Sequence, residues 1–107
     1  MIERRTIKFF VDRKEHDGGK TFVIGRCLEA PIFVGDHFEG VYAMTSTPGE
    51  RPDFRPLPLD VVGIDWWPVY GMDHIDSSYT GRLQLSGSAA DEIRDGEDIL
   101  LGTCQSA

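Results

Sequence analysis

Two segments near the start of the chain have the apolar and polar pattern of β-strands. Thr6 to Val11 (TIKFFV) and Thr21 to Cys27 (TFVIGRC) are rich in β-branched and aromatic residues, and Asp17-Gly18-Gly19 lies between them. Such residues favour strands, and Asp-Gly favours a tight turn because glycine adopts positive φ without steric cost. The pattern therefore predicts a β-hairpin.

Four later segments have the same character. His37 to Met44 contains apolar residues around an irregular Gly40, and Arg82 to Leu85 alternates polar and apolar residues. The predicted strands are Thr6 to Val11, Thr21 to Cys27, His37 to Met44, Leu59 to Trp67, Arg82 to Leu85 and Glu97 to Leu101. Gly71 to Gly81 is predicted to be a loop, and Ala89 to Gly96 one short helical turn. Six short strands with glycine-rich turns are typical of an antiparallel barrel or sandwich.

A proline-rich segment separates the third predicted strand from the fourth. Thr45 to Pro58 contains four prolines in fourteen residues, which leaves too few amide donors for a central strand. We therefore predict a surface loop over 45–58. It is either an ordered functional loop or a disordered insertion.

Length and composition fit one domain. A chain of 107 residues, 40% of them hydrophobic, is long enough to bury a single core, so residues 1–107 are predicted to form one all-β domain. No apolar run approaches a membrane span, and the N-terminus lacks the apolar core of a signal peptide. These features favour a cytoplasmic protein with no membrane partner. Cys27 and Cys104 are interpreted as reduced thiols.

The charge of −7 is unevenly distributed. Residues 1–30 contain seven Lys/Arg and five Asp/Glu, a balance of +2, whereas residues 31–107 contain four and thirteen, a balance of −9. An acidic surface repels phosphate backbones, so the sequence disfavours nucleic acid as a partner and favours a basic protein. Alternatively, the acidity serves only solubility.

Both tryptophans lie in the fourth predicted strand, where alternation separates two faces. The wholly apolar set is predicted to face the core: Val62, Ile64 and Trp66. The set that includes a carboxylate is predicted to face outward: Val61, Gly63, Asp65 and Trp67. An outward tryptophan can anchor an interface, or it can pack beneath loop 45–58 or beneath Tyr70 and Met72.

Candidate partner-binding residues follow from this assignment and from a cluster of carboxylates near the C-terminus. Complementary charge accelerates the encounter with a basic partner, although a solvated acidic surface is the alternative. The predicted partner-binding residues are Trp67, Asp65, Tyr70, Asp91, Glu92, Asp95, Glu97 and Asp98.

Catalytic motifs are weak. The pairs Asp36-His37 and Asp73-His74, with His16, would bind a metal only if their loops met in space, because no local ligand spacing is present. Cys27 lies within a predicted strand, where thiols are usually inert, and no Gly-x-Ser-x-Gly elbow occurs. We therefore predict a non-enzymatic protein with no cofactor and no metal.

Four segments in order resemble the second domain of translational GTPases of the elongation factor Tu type. They are Phe22 to Cys27 (FVIGRC), Ile32 to Asp36 (IFVGD), Arg82 to Gly87 (RLQLSG) and Ile93 to Leu100 (IRDGEDIL), and the resemblance spans residues 20–102. It implies a small six-stranded Greek-key antiparallel β-barrel with one short helical turn, here as a stand-alone domain.

Three functional hypotheses follow. The first is a protein-binding module, in a specific version an immunity protein that neutralises a basic toxin. The second, implied by the resemblance, is a translation-related factor that contacts tRNA, the ribosome or a translation factor. RNA contact would need a basic patch from Arg4, Arg5, Lys8, Arg13, Lys14, Lys20 and Arg26. The third, a hydrolase or metal enzyme, requires the two Asp-His pairs to converge.

Overall fold

The computed structural model describes residues 4–43, 54–66, 69–87 and 92–105. These residues form β1 (Arg4–Asp17), β2 (Lys20–Cys27), β3 (Ile32–Phe33), β4 (His37–Ala43), β5 (Arg55–Trp66), β6 (Val69–Met72), β7 (His74–Ile75), β8 (Thr80–Ser86) and β9 (Asp98–Gln105). The all-β prediction is confirmed.

Six of these strands close into a ring. Each strand pairs antiparallel with the next in the order β1-β2-β8-β5-β4-β9, and β9 returns to β1. The ring strands β4, β5 and β8 follow one another in the chain and lie side by side. The next ring strand, β9, returns to lie beside β4, and this spatial order, β9-β4-β5-β8, is a Greek key. The predicted six-stranded Greek-key barrel is therefore confirmed. β6 extends the sheet from β5, and β3 pairs with β7 in a separate two-stranded sheet.

The predicted hairpin joins β1 to β2. Asp17 pairs with Lys20 across Gly18 and Gly19, whose φ angles are 58° and 81°. Two successive residues with positive φ match the twist of an antiparallel pair. The strands continue to the turn, so β1 runs six residues beyond the predicted end at Val11.

Alternating residues of the ring fill its interior. The largest fully buried side chains come from every ring strand and from the two-stranded sheet: Phe9, Phe38, Ile7, Ile32, Leu59, Ile64, Ile75, Leu83, Leu100, Val11, Val23 and Val41. Ile32 and Ile75 are directly paired, so β3 and β7 cover the core with their inner face.

A bulge in β5 reverses part of the predicted face assignment. The register with β8 shifts between Val61 and Gly63, so Val61 is 1% exposed, Val62 is 46% exposed and Ile64 is buried. The extra residue turns Val62 outward. The core position predicted for Val62 and the outward position predicted for Val61 are therefore wrong. The side chains of Trp66 and Trp67 lie outside the described residues.

The predicted loop over 45–58 is partly wrong. Arg55, Pro56, Leu57 and Pro58 belong to β5, while residues 45–53 lie outside the described part. Both prolines fall where β5 pairs with β4 but has not yet met β8, and a register shift opposite Phe38/Gly40 adds a bulge there. Edges and bulges are the places where a strand tolerates a missing amide donor.

Other boundaries also differ from the predictions. The loop predicted over Gly71 to Gly81 contains the short strand β7 and the ends of β6 and β8. Of the predicted helical turn, residues 89–91 lie outside the described part, and the rest is a turn in which Gly96 has a φ of 71°. Among the described residues, no helix has the length and apolar character needed to cross a membrane.

Candidate functional site

The outer faces of β1, β2, β8 and β5 carry two rows of side chains that run from one strand to the next. In one row Phe10 pairs with Arg26, which pairs with Thr80. Because directly opposite residues in an antiparallel pair project to the same face, these three side chains are neighbours.

The second row crosses four strands. Arg13 pairs with Ile24, Ile24 with Arg82, and Arg82 with Asp65. Charged groups thus lie at both ends of a row that has an isoleucine within it.

Two adjoining depressions lie along these rows, and we call them together the outer groove. The first, of about 470 Å³, is lined by Phe10, Asp12, Ile24, Gly25, Arg26, Leu28, Thr80 and Ile99. The second, of about 450 Å³, is lined by Arg13, Glu15, Ile24, Asp65, Thr80, Gly81 and Arg82. Both share Ile24 and Thr80, so they form one surface, to which β1, β2, β5, β8 and β9 contribute.

A bulge and a glycine shape the floor of this groove. The register of β1 and β2 shifts between Val11 and Arg13, which leaves Asp12 as an extra residue. Opposite the shift, a Cβ at Gly25 would collide with the backbone carbonyl of Phe10. Glycine is therefore required for the close approach of the two strands, and the bulge bends β1.

Ion pairs neutralise most of the charge in the outer groove. The Arg82 Nε and Nη2 groups donate to Asp65 Oδ2 at 3.0 and 2.7 Å, and the guanidinium lies 4.5 Å from the centroid of the Phe22 ring. Asp65 Oδ1 accepts the Gly71 N–H at 2.9 Å. The cations and anions that line the groove are equal in number: Arg13, Arg26 and Arg82 against Asp12, Glu15 and Asp65.

The predicted acidic contact surface divides into different environments. Asp98 is fully buried, and its carboxylate accepts from Arg55 Nη2 at 2.6 Å, from the Arg94 N–H at 2.8 Å and from Arg94 Nη2 at 3.0 Å. These bonds fix the start of β9 against β5. The exposed position predicted for Asp98 is therefore wrong, because its buried carboxylate accepts hydrogen bonds from groups inside the protein.

The remaining predicted partner-binding residues do not form one described surface. Glu92, Asp95 and Glu97 are exposed in the turn before β9. Asp65 belongs to the outer groove, whereas Asp91 and the side chains of Trp67 and Tyr70 lie outside the described residues. Their part in binding a partner stays a prediction.

One end of the ring has a second group of polar and aromatic side chains. Arg5 Nη1 and Nη2 donate to the two carboxylate oxygens of Asp36 at 3.0 and 2.9 Å, and the guanidinium lies 4.9 Å from the Phe33 ring centroid. The Phe33 ring stacks on His74 with centroids 5.5 Å apart. Asp36 Oδ2 also accepts the Phe33 N–H at 2.9 Å, which holds the turn between β3 and β4.

His74 pairs with two carboxylates. Its Nδ1 lies 2.7 Å from Asp73 Oδ1, and its Nε2 lies 3.4 Å from Asp76 Oδ1. The hydrogen bond to Asp73 is the main cause that raises the pKa of His74, and the same bond lowers the pKa of Asp73.

The two Asp-His pairs do not build a metal centre in the described part of the chain. No group of three His, Cys, Asp or Glu side chains there is arranged to hold an ion. Asp36 is committed to Arg5, and Asp73 to its neighbour His74.

Cys27 is a buried thiol at the end of β2. Its Sγ lies 3.4 Å from the Ala30 carbonyl oxygen, and burial raises its pKa to about 11. A thiol with so high a pKa is a poor nucleophile near neutral pH, because little thiolate is present.

The basic residues near the N-terminus all lie on the hairpin of β1 and β2, and several of them pair with carboxylates. Arg5 pairs with Asp36, Lys8 with Glu29 at 2.8 Å, and Arg13 with Glu15 at 4.0 Å. These three ion pairs reduce the positive charge that RNA contact would require.

The outer groove was missed in the sequence, although a signal for it was present. Phe9-Phe10 and Val23-Ile24 are adjacent apolar pairs within strands. Because neighbouring side chains project to opposite faces, one member of each pair must face outward.

A comparison with solved structures finds a similar fold in a translation elongation factor. The structure of the apo form of translation elongation factor SelB from Methanococcus maripaludis superposes with a TM-score of 0.64 and 18% sequence identity. The match covers 91% of this chain and 19% of that protein, so the chain spans about a fifth of its length. At this identity the likeness shows the fold alone. No protein-family model and no curated protein sequence matches the chain.

Proposed function

We propose that this chain is a non-enzymatic binding module of the translation machinery, equivalent in fold to the second domain of translational GTPases. In this proposal, the outer groove holds a segment of a protein partner. The observation that carries the link to translation is the likeness to an elongation factor over 91% of the chain. The activity of that larger protein is not carried over, because folds host many functions.

The apolar floor of the outer groove supports a protein ligand. Phe10, Ile24 and Leu28 line it, and the Leu28 side chain is 38% exposed. Protein interfaces commonly combine an apolar centre with a polar rim. Apolar side chains of a partner would bury against this floor, while Asp12 and Arg26 give polar contacts at its edge.

Charge favours a protein over RNA in this groove. Grooves that bind single-stranded RNA combine positive charge with exposed aromatic faces. Here three arginines are balanced by three carboxylates, and the Arg82 guanidinium covers the Phe22 ring. A phosphate backbone would gain little attraction from such a surface.

The immunity-protein hypothesis has a weaker basis. It rests on the small size and acidity of the chain, and the comparisons add nothing to it. It stays a prediction from composition, as does the basic character of a toxin partner.

A matched pair of substitutions tests the proposal. Thr80 and Thr6 are both exposed on outer strand faces, but only Thr80 lines the outer groove. Thr80→Arg inserts a long charged side chain into the groove, and Thr6→Arg makes the same change outside it. Wild-type protein is incubated with salt-washed host ribosomes and with purified host translation factors, and bound protein is measured by sedimentation and pull-down.

We expect one of these components to bind, with an affinity reduced at least about tenfold by Thr80→Arg and unchanged by Thr6→Arg. Binding should survive ribonuclease. If no translation component binds, or if both variants bind like the wild type, the proposal is wrong. Binding that disappears with ribonuclease would instead identify RNA as the partner.

A further inference from the structure

The β3–β7 sheet has an outer face that contributes to an exposed apolar surface. In β3, Ile32 is fully buried while Phe33 is 40% exposed, and the next residue, Val34, is 44% exposed. Val62 is 46% exposed on the nearby bulge of β5. We call Phe33, Val34 and Val62 the cap patch.

Backbone hydrogen bonds place these three residues on adjoining segments. The Gly35 N–H donates to the Val61 carbonyl at 2.8 Å, and the Val61 N–H donates to the Asp36 carbonyl at 2.8 Å. Gly35 and Asp36 thus continue the ladder between β4 and β5, with Val34 and Val62 next to the bonded positions. The cap patch is part of a rigid, hydrogen-bonded surface.

Three exposed carboxylates lie on the segments that adjoin the cap patch. The carbonyl of Asp73 accepts the Val34 N–H at 3.0 Å, and the Asp73 side chain is 89% exposed. Asp76 is 47% exposed beside His74, and Asp60 is exposed two residues before Val62.

The nearest arginine does not offset this charge. Arg5 gives two hydrogen bonds to Asp36 and a third, of 2.7 Å, to the Pro31 carbonyl, and its side chain is only 17% exposed. The Arg5–Asp36 pair is neutral as a unit. Asp60, Asp73 and Asp76 therefore determine the sign of the potential around the patch, reduced by any charge on His74.

We infer that the cap patch binds a short segment of a partner protein in which an apolar side chain is flanked by lysine or arginine. The apolar residue contacts Phe33, Val34 and Val62, and the flanking cations face the three carboxylates. An apolar centre with a charged rim is the usual anatomy of a protein interface, and complementary charge speeds association. The same carboxylates repel nucleic acid and anionic lipid surfaces. This inference concerns a different surface from the outer groove and does not rest on the proposed function.

A library of random peptides displayed on phage tests the inference with the full chain as bait. Peptides retained by the wild-type chain but not by Val62→Gln are expected to contain an apolar residue flanked by Lys or Arg. One selected peptide is then synthesised with a fluorescent label, together with a version in which glutamate replaces each basic residue.

We expect Val62→Gln to weaken the labelled peptide at least about tenfold, and the glutamate version not to bind. Asp73→Asn, which leaves the apolar residues intact, should weaken binding about threefold and reduce its salt dependence. Leu28→Gln is the matched control, because it changes an equally exposed apolar side chain of the outer groove.

The inference is overturned if the selected peptides are acidic or lack basic residues, or if Val62→Gln and Asp73→Asn both bind like the wild type. Equal weakening by Leu28→Gln would assign the peptide to the outer groove instead. Denaturant melts of each variant ensure that a lost signal reflects the surface and not unfolding.

Discussion

Neighbouring valines in β5 allow the bulge to be tested by a matched pair of substitutions. Val61 is 1% exposed and Val62 is 46% exposed, yet the two residues are chemically identical. Simple alternation along the sequence instead places Val62 in the core and Val61 on the outside. Val61→Ala and Val62→Ala therefore make the same chemical change in two environments.

The expected difference follows from burial. Val→Ala removes two methyl groups, and at about 0.8 kcal/mol each the lost transfer free energy at Val61 is about 1.6 kcal/mol. Val61 belongs to the same buried core cluster as Leu59, Ile64 and Leu85, so a residual cavity adds up to about 1 kcal/mol. Val61→Ala should thus lower the free energy of unfolding by about 2 to 3 kcal/mol. Val62→Ala leaves no cavity and loses about half of the transfer free energy. It should therefore lower the free energy of unfolding by less than about 1 kcal/mol.

Equilibrium urea unfolding, followed by fluorescence and by circular dichroism, measures both values. A small domain with a stability of about 5 to 15 kcal/mol remains folded after either change, so both transitions are measurable. A loss at Val62 equal to or larger than that at Val61 would refute the bulge and restore simple alternation. An unchanged m-value shows that only stability has changed.

Two further predictions concern charged groups. Asp98→Asn leaves Arg55 and Arg94 without their buried carboxylate, so we expect the free energy of unfolding in urea melts to fall by about 2 to 4 kcal/mol. The control Asp95→Asn changes an exposed carboxylate and should alter it by no more than about 0.5 kcal/mol. Similar values for the two variants would contradict the Asp98–arginine network. The pKa of His74 is raised by Asp73, so its contribution to stability is fully present below its unfolded pKa and is lost as pH rises through its folded pKa. Because the pKa of Asp73 is lowered, its contribution to stability is present above its unfolded pKa and is lost as pH falls through its folded pKa. In an NMR titration, Asp73→Asn should bring the pKa of His74 down toward its ordinary value, and an unchanged pKa would show that the pair is not formed in solution.

The all-β class and the β1–β2 hairpin were predictable because local chemistry determines them. β-Branched residues occupy the predicted strands, and Gly18 and Gly19 adopt the positive φ that the turn demands. The Greek-key order was predicted only through the family resemblance, because pairing between distant strands leaves no local signature. The strands β3 and β7 have two residues each, too few for any periodicity to be detected.

The irregularity predicted at Gly40 is confirmed by the register shift between Phe38 and Gly40, but the bulges near Asp12 and Val62 were not predictable for a physical reason. Each adds one residue to one strand of a pair, so it exists only relative to a partner that is distant in sequence. The shift near Asp12 depends on β2, and the shift near Val62 depends on β8. Both shape candidate surfaces, which is why the cap patch, and the outer groove apart from Asp65, were absent from the predicted site.

The exposed position predicted for Asp98 is wrong for a related reason. A carboxylate in a turn looks solvated in the sequence, but Asp98 is the first residue of a strand whose partner positions bring Arg55 beside it. Glu97, one position earlier, is exposed. Side-chain direction at a strand end is thus decided by register, which the sequence of one strand does not contain.

Adjacent apolar residues in two-faced strands nevertheless carry information about surfaces. In Phe9-Phe10 and Val61-Val62, one member of each pair is fully or almost fully buried, and the other contributes to the outer groove or the cap patch. Alternation requires that one member face outward, and the bulge decides which one. In this chain, an outward apolar side chain beside a buried neighbour marks both proposed binding surfaces. The same argument applies to Trp66-Trp67, for which an outward Trp67 stays a prediction.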